Sequence, residues 1–127
     1  MKIALITDDG TSISKHFGRA THYLVVTIED GIIIDRTMLE KLGHGHFAHG
    51  EAHEEHHDHQ GDPHRHNSML QPIRDCEALI CGGMGQGAYG SLKAFNIRPI
   101  LTDQTEINTI LSKFISGKLE DHPELLH

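Results

Sequence analysis

The sequence predicts a single α/β domain built on a mixed sheet, and three observations carry that prediction. Short apolar runs of strand length recur along the chain. Two of them meet at a Glu29-Asp30-Gly31 turn, and a later one leads through a glycine-rich bend into a helix. The turn makes the front half antiparallel, whereas a strand–bend–helix–strand unit requires a parallel crossover. Such a sheet buries both faces only when helices cover them. At 127 residues the chain is the size of one domain with a real hydrophobic core.

The elements follow in order. Lys2 to Thr7 is an apolar run stopped by Asp8, Asp9 and Gly10, the pattern of a buried strand. TSISKHFGRA has no clear period and is a loop. Thr21 to Ile28, rich in β-branched and aromatic residues, is the second strand, and Ile32 to Met38 returns from the turn as the third. Beyond Lys41 the hydrophobic pattern gives way to His, Gly, Glu and Asp. Residues 42–67 therefore cannot bury enough apolar surface to offset their ordering entropy, and a flexible loop is expected. Ser68 to Asp75 has room for a short helix, limited by Pro72.

Regular structure resumes with Ala78 to Cys81 as a strand, CGGMGQG as the bend and Ala88 to Phe95 as a helix closed by Asn96. Arg98 to Leu101 is another strand, after which Thr102 or Asp103 is placed to cap the last helix. There Ile107, Ile110, Leu111, Phe114 and Ile115 form a broad apolar stripe that should pack on the sheet, and Gly117 ends it. The predicted domain is thus 1–117, interrupted by the loop, with a frayed tail over 118–127.

Charge narrows the partners. The net charge of -7, from 11 Lys and Arg against 18 Asp and Glu, lacks the basic footprint that phosphate backbones demand, so no nucleic acid is expected. No run approaches the length of a membrane span, and MKIALITDDG is too short for a signal peptide, so no membrane partner is expected either. Cys76 and Cys81, close together in one predicted strand, are poorly placed for a mutual disulfide. A reducing, cytoplasmic setting is the simplest expectation.

Nine of the 13 histidines fall in one tract: His44, His46, His49, His53, His56, His57, His59, His64 and His66. Glu51, Glu54, Glu55, Asp58 and Asp62 are interleaved with them. Imidazole is a borderline-soft donor suited to Zn, Ni, Fe and Cu, and carboxylates complete mixed shells. The tract is expected to bind divalent transition metals at several exchanging positions, as a buffer or docking segment. Read without metal, it is a solvated low-complexity loop or a charge switch titrating near neutrality.

GQGAYG, residues Gly85 to Gly90, matches the dinucleotide fingerprint G-x-G-x-x-G after a strand. It occurs late in the chain behind an antiparallel front half, which leaves no two-sided dinucleotide sheet. The glycines have a structural reading, a sharp strand-to-helix turn. They also have a functional one, since free N–H groups at a helix start attract anions.

Two stretches together, SKHFGRATHYLVV and LICGGMGQGAYGSLKAFNIRPILTD, resemble the dinitrogenase iron-molybdenum cofactor biosynthesis family, which includes NifX, NafY and the C-terminal domain of NifB. The resemblance implies a ribonuclease-H-like three-layer fold with a mixed five-stranded sheet and flanking helices. It also implies a non-enzymatic accessory protein that binds or carries an iron-sulfur-type metallocluster and meets a donor or client protein in cofactor assembly. By the same resemblance His16 is the favoured cluster ligand and Phe17 and Gly18 complete its motif. Gly83, Met84 and Gly85 are the matching candidates on the bend, with Cys81 nearby as a soft donor or a core thiol. The long histidine tract is a departure from that family, and it points to single divalent ions as additional cargo.

Two other function classes are open to the sequence. A metal-dependent nuclease would need Asp8 or Asp9, with Asp75 and Asp103, to converge around two metals, although strand-end aspartates commonly serve turns and caps. An interaction module would respond to metal or pH through ordering of the tract.

Overall fold

The computed structural model of the chain describes residues 1–41 and 69–127. All nine histidines of the tract, and the loop expected over 42–67, lie outside the described residues. Five strands, β1 (Lys2–Thr7), β2 (His22–Glu29), β3 (Ile32–Glu40), β4 (Ala78–Cys81) and β5 (Arg98–Leu101), form one sheet in the order β3-β2-β1-β4-β5. The β1–β2 and β2–β3 pairs are antiparallel, and β1–β4 and β4–β5 are parallel. Two α-helices lie wholly within the described residues, α1 (Gln86–Ala94) and α2 (Ile107–Ile115). This is the mixed five-stranded α/β sheet that the patterning predicts.

The hairpin between β2 and β3 turns on Asp30 (φ 55°) and Gly31 (φ 75°), two successive left-handed residues that match the twist of the paired strands. Asn96 (φ 63°) closes α1 and Gly117 (φ 76°) follows α2. Central β1 is buried on both faces, as a strand covered from two sides must be. Its alternate residues feed separate cores. Ala4 and Ile6 join Tyr23, Leu79 and Leu92 on the α1 face, while Ile3 and Leu5 join Leu24, Ile80, Ile110 and Leu111 on the α2 face.

Two local expectations are corrected. The cap of α2 is Glu106, which makes no side-chain capping bond. Neither Thr102 nor Asp103 serves, because the loop after β1 reaches across and the Ile107 N–H donates to the Thr11 carbonyl at 2.9 Å. Cys76 precedes β4 rather than lying in it, and both cysteines are buried free thiols. The short helix before β4 is limited as Pro72 predicts: it ends at Met69–Leu70 and tightens into a 3-10 turn over Gln71–Ile73, where the proline removes a donor.

The tail is docked rather than frayed. The Leu101 N–H donates to Asp121 Oδ1 at 2.9 Å, the His122 N–H to the Leu101 carbonyl at 2.8 Å, and the His127 N–H to the Met84 carbonyl at 3.0 Å. Leu125 and Leu126 pack against the α1-face core, which supplies the anchor that the tail's polar composition conceals. Among the described residues no helix is long and apolar enough to cross a membrane.

Candidate functional site

Parallel strands β1, β4 and β5 end on the same edge of the sheet, so their following loops are neighbours. Two of those loops carry the motifs singled out in the sequence. Backbone bonds fasten them together: the Ser14 N–H donates to the Ile6 carbonyl at 2.8 Å, the Gly82 N–H to the Ser14 carbonyl at 2.8 Å, and the Phe17 N–H to the Gly83 carbonyl at 3.2 Å. The approach is so close that side chains are excluded. A Cβ on Gly83 would stand 2.7 Å from the Lys15 carbonyl oxygen, and one on Gly82 would stand 3.0 Å from the Ser14 carbonyl oxygen. The need for glycine here is therefore steric.

His16 lies exposed at the crest of this junction. Its N–H donates to Ser14 Oγ at 3.1 Å, and its carbonyl accepts from the Arg19 and Ala20 N–H groups. The backbone is thus held, while no hydrogen bond engages the imidazole among the described residues. Phe17 is buried below it, beside Ala88 and Ser91 of α1. Gly18 is exposed and a Cβ there would meet nothing within 4 Å, so packing does not require glycine at that position.

On the bend, Gly83 and Met84 are buried and Gly85 is the N-cap of α1. The Met84 side chain is directed into the α1-face core, at 1% exposure, and in this arrangement its sulfur does not reach the surface. Cys81 is likewise interior: its thiol donates to the Gly83 carbonyl at 3.0 Å, and burial pushes it up to about 11. At neutral pH it remains a thiol and not a thiolate ligand. The first N–H groups of α1 lack a side-chain cap, leaving a partial positive charge at the bend.

Sequence reasoning missed one residue of this site. Lys41 is 3% exposed, and among the described residues no acceptor reaches its Nζ. The ammonium sits 4.7 Å from the centroid of the Phe17 ring, and burial pushes it down to about 8, against the opposing influence of Cys81 and Asp8. The period of two along β3 was the available signal, since it puts Lys41 on the same side as Leu39, which packs on the α1-face core.

The four aspartates considered for nuclease chemistry do not converge. Asp9 Oδ1 accepts from the Thr11 and Ser12 N–H groups, both at 2.9 Å, bonds that hold its carboxyl below the usual range. Asp8 Oδ1 accepts from the Thr21 N–H at 2.8 Å. Asp75 pairs with Lys2 at 3.0 Å, at the far end of β1, and Asp103 faces His122 at 3.6 Å. Among the described residues no three His, Cys, Asp or Glu side chains gather around a common point. An open cleft of about 510 Å³, lined by Ile28, Phe114 and Leu119 among others, lies at the opposite end of the sheet from both motifs.

The comparisons with known proteins agree with this layout. Residues 1–117 match the family model described as dinitrogenase iron-molybdenum cofactor. The uncharacterized protein MJ0580 of Methanocaldococcus jannaschii is 28% identical over 120 residues, covering 94% of this chain and 90% of its own. Among solved structures, PH0822 superposes with a TM-score of 0.72 at 20% identity, over 96% of both chains. The apo form of the orange protein from Desulfovibrio gigas gives 0.66 at 15% identity, over 95% of this chain and 92% of its own. These structures share the fold, and the family match spanning residues 1–117 settles the kinship: the chain belongs to the dinitrogenase iron-molybdenum cofactor family.

Proposed function

We propose that this protein is a non-enzymatic, cytoplasmic accessory factor of cofactor assembly, which binds a metallocluster at the His16 turn and passes it between a donor and a client protein. The observation that carries this reading is the backbone junction of Ser14–Phe17 with Gly82–Gly83, which presents the exposed imidazole of His16 on a rigid edge. The donor set fits one nitrogen ligand and a polar backbone cradle; Cys81 and Met84 belong to the core. A single protein ligand suits cargo that must leave again. The similar orange protein was solved as an apo form, a description that applies to a protein taking a ligand. The sheet order and the helix on each face fit a ribonuclease-H-like layout. The histidine tract adds divalent-ion binding, on the chemistry of imidazole and carboxylate alone.

The test is elemental analysis and absorption spectroscopy of protein purified anaerobically without added metal. His16→Ala should abolish the cluster-derived absorption and leave divalent-ion capacity intact, whereas deletion of residues 44–66 should do the reverse. Two variants indistinguishable from the parent protein would overturn the reading.

A further inference from the structure

We propose that Lys41 is an anion receptor at this site, so that the group carried there is an anion and not a bare metal cation. The inference rests on the cluster-binding reading for the identity of the cargo, but its physical basis is separate. An ammonium buried without an acceptor is unfavourable, and native proteins retain few such groups without a use. Lys41 is one: enclosed, unbonded among the described residues, with the face of the Phe17 ring against its ammonium and no hydrogen-bond acceptor within reach.

The titratable neighbours do not pair with it. Cys81 keeps its proton, and the Asp8 carboxylate, which favours the ammonium through space, spends its hydrogen bonds on the N–H and hydroxyl of Thr21. The Phe17 backbone is in turn bonded to Gly83, two residues before the uncapped start of α1. A buried ammonium and a helix amino end, independent of each other, therefore place positive charge around one turn. A divalent cation would be repelled by both. An anion that met the turn would give Lys41 the partner it lacks, and the four-carbon stem lets the ammonium swing to it. The chain thus separates two chemistries, with cation ligands concentrated in the tract sequence and positive charge at the bend.

The experiment uses the full chain, with Lys41→Met, Lys41→Arg and His16→Ala. Three probes are titrated anaerobically: a synthetic dianionic [4Fe–4S] thiolate cluster, inorganic phosphate and Zn²⁺. Lys41→Met should weaken cluster binding by about tenfold or more, the scale of a lost charge-assisted hydrogen bond. Lys41→Arg should retain most of it, and Zn²⁺ stoichiometry should not change in either. In the parent protein, phosphate should shift the ¹⁵N resonance of the Lys41 ammonium, a readout that does not depend on any variant folding.

If His16→Ala loses the cluster while Lys41→Met binds it like the parent, the carrier reading stands and the anion receptor is overturned. If phosphate moves the Lys41 resonance but the parent takes up no cluster, the receptor stands and the carrier reading falls. Binding of neither anion overturns both.

Discussion

The two faces of the sheet are built from different side chains. The α2 face is closed almost entirely by aliphatic groups: Ile3, Leu5, Val26, Ile80, Ile110 and Leu111 are representative, and its buried residues contain no sulfur and no aromatic ring. The α1 face mixes Phe17, Tyr23, Cys76, Cys81 and Met84 with smaller aliphatics, and Lys41 is buried against it. Tyr23 even spends its hydroxyl there, donating to the Met69 carbonyl at 2.8 Å. One face is packing alone. The other combines packing with polarizable and titratable groups directly beneath the His16 turn. On the proposed reading, stability belongs chiefly to the first and binding to the second.

The sharpest way to break that division is a cavity on the aliphatic face. Ile110→Ala should cost roughly 3–4 kcal/mol in denaturant unfolding and leave cluster uptake by the folded protein unchanged. A loss of uptake would show that the faces are not separable.

Lys41→Met tests the other side with the opposite sign. Burial lowers the lysine from 10.5 to about 8, so between those values the unfolded chain holds more protons than the folded one. Lys41 should therefore add about 2–3 kcal/mol of stability as pH rises across that window, opposed by the Cys76 and Cys81 thiols, which burial pushes up to about 12 and about 11 and which lose stability above the ordinary thiol range. The variant should be more stable at pH 7 and lack that contribution. Urea midpoints of parent and variant at pH 7, 8.5 and 10 decide it, and a stability difference between the two that does not change with pH would disprove the unpaired charge.

Gly83→Ala should lose about 1–3 kcal/mol by overpacking, since its Cβ must displace the Lys15 carbonyl. Uptake should fall with it, because the His16 turn is moved off the bend. The smallest effect concerns the tail. His122 is raised above its usual value by its bond to Glu124 and by Asp103 and Glu120. Its contribution is fully present below the ordinary histidine range and lost as pH rises through the elevated value. Protection of the His127 amide proton, taken relative to the intrinsic exchange rate at each pH, should fall over that interval, and His122→Gln should remove that fall.

Much of the frame was legible in sequence because strands announce themselves through local pattern: Ala78–Cys81 and Arg98–Leu101 were bounded as they stand, and Asp30-Gly31 fixed the hairpin. The HFG motif and the glycine bend were visible too, but not that one fastens to the other through backbone atoms, which carry no residue signature. Lys41 escaped because a lysine at a strand end is ordinarily solvated, and only tertiary enclosure reverses that. The α2 cap was misplaced for a related reason. A distant loop carbonyl, Thr11, supplied what a nearby hydroxyl was expected to give. The tail looked polar, and two leucines were enough to hold it.

The docked tail has a practical consequence for anyone handling the protein. Its final bonds bring His127 against Met84, with its ring nitrogen 3.5 Å from where a Cβ on Gly83 would be. A polyhistidine tag appended there would emerge beside His16 and contribute its own imidazoles to every metal titration. Met1, whose amine donates to the Ile28 carbonyl at the opposite end of the sheet, is the safer point of attachment.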